Sequence, residues 1–283
     1  MNTILRQALS VAARSLALAA VAVAASSAHA AIILVSKGVI DSGTDSTGVF
    51  GAPANLAGKA YKLTITYDDF STAYHSSSAT FEKETGPVTG AVGVAVDGHP
   101  FAANVTRSFG AMLYVNDNGA FSELTGLQSG NDAMGQNVYV SHDLSSNAGT
   151  VAGPAFAMAS YTTQAGDVSQ ATFRTSGSEG GASFTATPSG AWLVYPPAQL
   201  IASLTSYVSG AGLQSGIATS LEAKLNAAQS YLAAGSVASA LQDLADLIAE
   251  SRAQSGKHIP TAQASSIISQ TQATIDTIGI LYG

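Results

Sequence analysis

The 283-residue sequence contains no cysteine. That excludes disulfide staples, thiolate zinc sites and cysteine nucleophiles together. Charge is also scarce: 10% of residues are Asp, Glu, Lys or Arg, and the formal net charge is −7. Positive charge is the scarcer sign, with 13 acids against 6 bases between residues 31 and 196 and 5 against 3 after it. Such a surface repels phosphates, so nucleic acid is excluded as a partner. Long apolar runs are missing as well. Beyond residue 30 every hydrophobic stretch is interrupted by Ser, Thr, Gln or a charge well short of the ~20 residues a bilayer demands, so the mature chain is expected to have no membrane span. With 46% hydrophobic residues, the chain is too apolar to be a disordered acidic tail.

The first thirty residues have their own pattern. Arg6 and Arg14 precede an apolar run from Leu16 to Ala25, and Ala28-His29-Ala30 is the small-x-small pattern that a signal peptidase reads. Residues 1–30 are therefore expected to be a cleaved signal peptide. The mature protein would be exported, periplasmic or extracellular, and bacterial, where a cysteine-free chain folds without oxidation.

The remainder divides near Pro196-Pro197, where the ring constraint and two missing N–H donors should end a strand. All nine Phe lie between Phe50 and Phe184, and 21 of the 28 Gly precede Pro196. In residues 31–196 the hydrophobic period is two. Tyr61, Leu63, Ile65 and Tyr67 alternate with Lys62, Thr64 and Thr66, the pattern of a strand with one buried face. Short runs at Ile32 to Val39, Val92 to Val96, Ala111 to Val115, Val138 to Val140, Phe156 to Thr162 and Ala191 to Tyr195 read likewise. Asp97-Gly98 and Asn118-Gly119 are hairpin turn pairs, and Ser141 to Gly153 and Thr175 to Ala182 read as surface loops. An antiparallel β-sandwich is expected.

In residues 197–283 the period becomes helical. Leu221, Leu225, Ala228 and Leu232 form one stripe and Val237, Leu241, Leu244 and Ile248 another. Leu200, Ile201, Leu204 and Val208 mark a shorter helix before them, and Ile267, Ile268, Ile275 and Ile278 a last one. Gly235 and Gly256 should stop helices, with Ser236 and Thr261 capping the next starts. The polar faces hold only Lys224, Arg252 and Lys257 as cations, which argues against lipid binding. A C-terminal helical bundle of about four helices follows, giving a multidomain β + α chain.

No catalytic, cofactor-binding or metal-binding residue emerges, and no cofactor is expected. His75, His99, His142 and His258 are far apart, with no His-x-x-x-His pair. His142-Asp143 reads as loop rather than as part of a nucleophilic set, since no Gly-x-Ser-x-Gly elbow occurs. Asp68-Asp69 and Glu82/Glu84 are the paired acids. In an extended segment Glu82 and Glu84 share a face about 7 Å apart, as adjacent surface acids also do without catalysing anything. For calcium the candidates are Asp41/Asp45, Asp68/Asp69 and Asn116-Asp117-Asn118, none with the Asp-x-Asp-x-Asp-Gly spacing. Glycan stacking would draw on Tyr74, Tyr114, Tyr139, Tyr161 or Trp192, although Trp192 reads as internally packed.

Two stretches carry a resemblance. Ser42-Gly43-Thr44-Asp45-Ser46-Thr47-Gly48-Val49-Phe50-Gly51, followed by Leu56-Ala57-Gly58-Lys59-Ala60-Tyr61-Lys62-Leu63-Thr64-Ile65-Thr66-Tyr67-Asp68-Asp69, resembles the N-terminal module of secreted bacterial proteins of the PEP-CTERM sorting class. Those proteins end in a Pro-Glu-Pro motif, an apolar span and a basic tail, where this chain has Tyr195-Pro196-Pro197 and helices. Leu221, Lys224-Leu225, Ala227-Ala228, Gly235, Ala240, Leu244, Ile248, Gly256, Ile259, Gln263-Ala264 and Ile267 make residues 197–283 resemble a FIMAH domain, a small bundle at the ends of secreted proteins. The resemblances imply an extracytoplasmic accessory module. The expected function is a noncatalytic exported binding or matrix protein, with extracellular polysaccharide or an envelope protein as partner. The alternative is a secreted carbohydrate-active or other hydrolytic enzyme.

Overall fold

The computed structural model describes residues 31–68, 70, 73–117, 122–133, 135–146, 159–176 and 181–283. The leader, Asp69 and the Asn118-Gly119 pair lie outside them. Among the described residues thirteen strands precede four helices: β1 (Ile32–Asp45), β2 (Ala54–Asn55), β3 (Ala60–Tyr67), β4 (Tyr74–Ser77), β5 (Phe81–Gly86), β6 (Gly90–Val96), β7 (His99–Val105), β8 (Arg107–Asp117), β9 (Ser122–Asn131), β10 (Asn137–Ser146), β11 (Ala159–Thr162), β12 (Val168–Ser176) and β13 (Ala182–Val194). The helices are α1 (Pro197–Gly210), α2 (Ser215–Ala233), α3 (Val237–Gln254) and α4 (Thr261–Tyr282).

All the strand pairings are antiparallel, and the strands form one open sheet in the order β4-β5-β8-β9-β10-β12-β13-β1-β3-β6-β7, with β11 on β13 and β2 on β1. Among the described residues the strands belong to a single open sheet. The distant wings nevertheless meet across a shared core. Tyr67 of β3 is fully buried, and its hydroxyl reaches the Met112 carbonyl of β8 at 2.9 Å and the Leu127 carbonyl of β9 at 3.2 Å. A Cβ on Gly126 of β9 would lie 2.6 Å from Leu34 of β1 and 3.1 Å from the Tyr67 oxygen, so only glycine admits this approach. The bend is made where β1 and β13 lose register, between Lys37 and Gly38 and between Ile40 and Ser42. Bulges of this kind sharpen twist and turn a strand toward a new direction.

Local sequence accounts for the strongly patterned elements. In β3 the alternating Tyr61, Leu63, Ile65 and Tyr67 are buried in the core, and Lys62, Thr64 and Thr66 face the other way. Asp97 (φ 47°) and Gly98 (φ 83°) close the β6–β7 hairpin, with Val96 paired to His99. β1 begins with four buried apolar residues because both its faces are covered: Ile32 and Leu34 enter the sheet core, while Ile33 and Val35 join Val194 beneath Ile280 and Leu281 of α4. Ser141 to Ser146, expected as the start of a loop, is strand. His142, Leu144 and Ser146 point inward there, and the weak Ser-rich alternation is stabilised by neighbours on both sides.

The helices bury the expected stripes, among them Ile201, Leu204, Val208, Leu221, Leu225, Leu244 and Ile267, in a core separate from that of the sheet. Each helix packs on the next, and α1 also packs on α4. Gly235 and Gly256 take left-handed conformations at φ 74° and 71°. Thr261 is not a cap: Pro260 holds the position before α4, and Ser236, before α3, makes no side-chain cap bond. No helix among the described residues is long and apolar enough to cross a membrane.

Candidate functional site

Strand alternation sorts the residues of the β4-β5-β8-β9-β10-β12 wing onto two faces. The face opposite the core carries two continuous rows. One runs Tyr74, Thr85, Met112, Leu127, Ser141, Thr172, and the next runs Ser76, Lys83, Tyr114, Thr125, Asp143, Gln170. Thr125, Ser141 and Thr172 are buried between taller neighbours, so the relief is made by aromatic rings. Phe81 and Tyr114 pair with centroids 6.1 Å apart and planes tilted by 44°. Tyr74, 72% exposed, and Tyr139 stand on the same face, each two strand spacings from Tyr114 and offset along the strands by two and four residues, so about 12 and 17 Å from it. Asn116, Glu123, Gln170 and Arg174 supply polar groups around the rings. Partial burial and the nearby Glu123 carboxylate raise the Tyr114 phenol above its ordinary range.

Of the five aromatic candidates, three share this face. Tyr161 does not: it is buried, and its hydroxyl donates to Asp167. Trp192 does not pack inside the sheet as expected. It sits half-buried on the outer side of β13 with Ile33, Val35, Val194, Ile280 and Leu281, and the Lys37 ammonium lies 5.9 Å from its ring centroid. Bulges in β1 and β13 and the docked helix end decide that placement. At the same seam Lys62 donates to the Leu281 carbonyl and Lys37 to that of Gly283 at 3.3 Å, placing cations at the negative end of α4. Burial first, and Lys37 second, bring the Lys62 ammonium down to about 8. An open cleft of about 480 Å³ beside this seam is lined by Thr64, Thr66, Pro197, Gln229, Leu232 and Tyr282.

The core-facing side of the edge hairpin holds a polar chain. Register places His75 opposite Glu84 and Ser77 opposite Glu82. His75 Nδ1 lies 2.6 Å from Glu84 Oε1, and His75 Nε2 lies 3.2 Å from Ser77 Oγ. A carboxylate only accepts, so Nδ1 carries the proton toward Glu84 and Nε2 receives the Ser77 hydroxyl. Glu84 is buried while His75 is half-exposed, and Glu84 Oε2 has no partner among the described residues. Sequence reading singled out His75 and Glu84 separately but not Ser77. The one usable signal was the His-x-Ser spacing within an alternating strand.

The other candidates do not converge. His142 and Asp143 point to opposite faces of β10; His142 is fully buried with both ring nitrogens unpartnered among the described residues, and burial lowers its imidazole to about 4. Asp45 is committed to its own loop, accepting from the Gly48, Val49 and Phe50 amides at 2.8, 2.9 and 2.7 Å, while Asp41 accepts from Thr187 at 2.8 Å. Among the described residues no three His, Asp or Glu side chains gather as a metal site. Asp69 and Asn118 lie outside those residues. Compared with known protein families, characterised proteins and solved structures, the chain matches none.

Proposed function

We propose that this chain is an exported bacterial binding or matrix protein that recognises extracellular polysaccharide on the outer face of the β4-to-β12 wing. We read its bent sheet as the working equivalent of a β-sandwich, and its helices as a docking module. The observation that carries the proposal is the half-buried Phe81–Tyr114 pair, beside Asn116 and Glu123 and on the same sheet face as Tyr74 and Tyr139. Flat rings accept the apolar faces of sugars, and the neighbouring polar groups can answer their hydroxyls. The leader pattern in residues 1–30 supports export, and the PEP-CTERM and FIMAH resemblances point to the same compartment.

Affinity electrophoresis of the full mature chain in gels containing dextran, alginate or hydroxyethylcellulose tests this. Retardation is expected with at least one polymer, and Tyr114→Ala should weaken it by about tenfold or more, as for an anchoring aromatic. Unaltered migration in every polymer would overturn the glycan reading.

A further inference from the structure

We propose that Ser77, His75 and Glu84 constitute an ester-cleaving site on the β4–β5 hairpin, an activity beyond polysaccharide binding and independent of it. The order of contacts is that of an activated serine: hydroxyl to Nε2 at 3.2 Å, and Nδ1 to a buried carboxylate at 2.6 Å. Each member has an environment suited to its role. Ser77 is exposed and can meet a substrate. His75 is half-exposed, so Nε2 can exchange protons with a leaving group or water. Glu84 is buried and fixed by the strand register, so it holds the ring in one tautomer and offsets the charge as the imidazolium forms. Among the described residues β4 is the terminal strand of the open sheet, and the outer edge of such a strand offers backbone N–H groups. Such groups are the donors a developing oxyanion needs.

The step balances without any bound cofactor. Ser77 Oγ attacks the ester carbonyl as its proton passes to His75 Nε2. The tetrahedral intermediate then collapses, breaking the carbon–oxygen bond to the alcohol, which takes that proton and leaves. Water, deprotonated by His75, releases the carboxylic acid from the acyl-serine and restores the hydroxyl. An exposed hairpin suits short acyl groups, such as acetyl, carried on small alcohols or on an extended polymer. Glu82, opposite Ser77 on the same face, disfavours anionic acyl groups.

The test uses the full mature chain with a fluorophosphonate probe and p-nitrophenyl acetate. Stoichiometric phosphonylation mapped to the peptide carrying Ser77 is expected, with esterase turnover lost in Ser77→Ala. His75→Gln should slow labelling by about 100-fold or more, in the range for removal of a general base. Glu84→Gln keeps the shape of the side chain but weakens its hold on the ring, and should slow labelling by about tenfold or more without altering the circular dichroism. Labelling absent from Ser77, or equally fast in His75→Gln, would overturn the proposal and leave the three residues as a structural hydrogen-bond chain.

Discussion

In the helical bundle two buried hydroxyls are answered by the turn beneath them, Thr271 donating to the Ile267 carbonyl at 2.6 Å and Thr274 to that of Gln270 at 2.9 Å, while Ser251 Oγ is left without a partner among the described residues. Inside the sheet the corresponding groups lack that recourse. Ser122 Oγ, Thr175 Oγ1, Glu84 Oε2 and both nitrogens of His142 are buried without partners among the described residues. A helix keeps an acceptor four residues away along its own chain, whereas a strand spends its carbonyls on its neighbours. The difference teaches where function can reside. Buried polar groups left unsatisfied carry a cost, and among the described residues most of them lie in the sheet, with Asp243, Ser251 and Gln263 the bundle's share.

The contrast breaks if the two cores are not energetically separate. Phe173 is buried among Phe50, Phe101 and Phe184, and Phe173→Ala should cost the sheet about 3–5 kcal/mol. Leu244→Ala should cost the bundle about 2–5 kcal/mol. Amide exchange followed by mass spectrometry should show each change confined to its own region. Equal loss of protection throughout would mean one cooperative unit.

Acid should sharpen the contrast. The His142 imidazole is lowered to about 4 in the folded chain and lies near 6.5 when unfolded. Below the unfolded value the unfolded chain takes up a proton that the folded sheet refuses, so stability falls as pH drops from about 6.5 to 4, by about 3 kcal/mol in all. Urea unfolding monitored by strand-peptide exchange should show this slope, and His142→Leu should flatten it.

A smaller effect belongs to the seam. Leu281→Asp places a charge against Ile33 and Trp192; it should cost about 1 kcal/mol of docking and shift Trp192 fluorescence to the red. For Lys62, lowered to about 8 from 10.5, the folded chain sheds its proton first, so stability at the seam rises modestly as pH climbs through that interval, and Lys62→Met should abolish the rise.

The smallest effects concern ion pairs. Lys224 and Glu250, 2.7 Å apart and part-buried between α2 and α3, should contribute up to about 1 kcal/mol, against less than about 0.5 kcal/mol for Lys59 and Asp97, a more exposed pair at 3.8 Å. Thermal melts of Lys224→Ala and Lys59→Ala compare them directly.

Legibility followed the range of the interactions. The stripes of α2 and α3 and the alternation in β3 could be read because period and burial coincide within one segment. β4, β5, β7, β9 and β12 were not anticipated. Their sequences, as in Ser122–Asn131, give little alternation; β5, β9 and β12 are strands because partners on each side complete their ladders, and β4 and β7 because one neighbour does. Three of the candidate tyrosines could be named in advance, but not that they share a face, since that depends on the register of five strands, β4, β5, β8, β9 and β10.

By itself the sequence determined the absence of thiol chemistry, the change of hydrophobic period near Pro196-Pro197, and the strand or helix character of the strongly patterned segments, because these depend on residue type and short-range spacing. Tertiary structure alone decided that the strands join in one bent, open sheet, that Trp192 lies under the end of α4, and that Ser77, His75 and Glu84 touch. Those outcomes depend on bulges and on pairings between residues distant in the chain, whose combined energies no local pattern records.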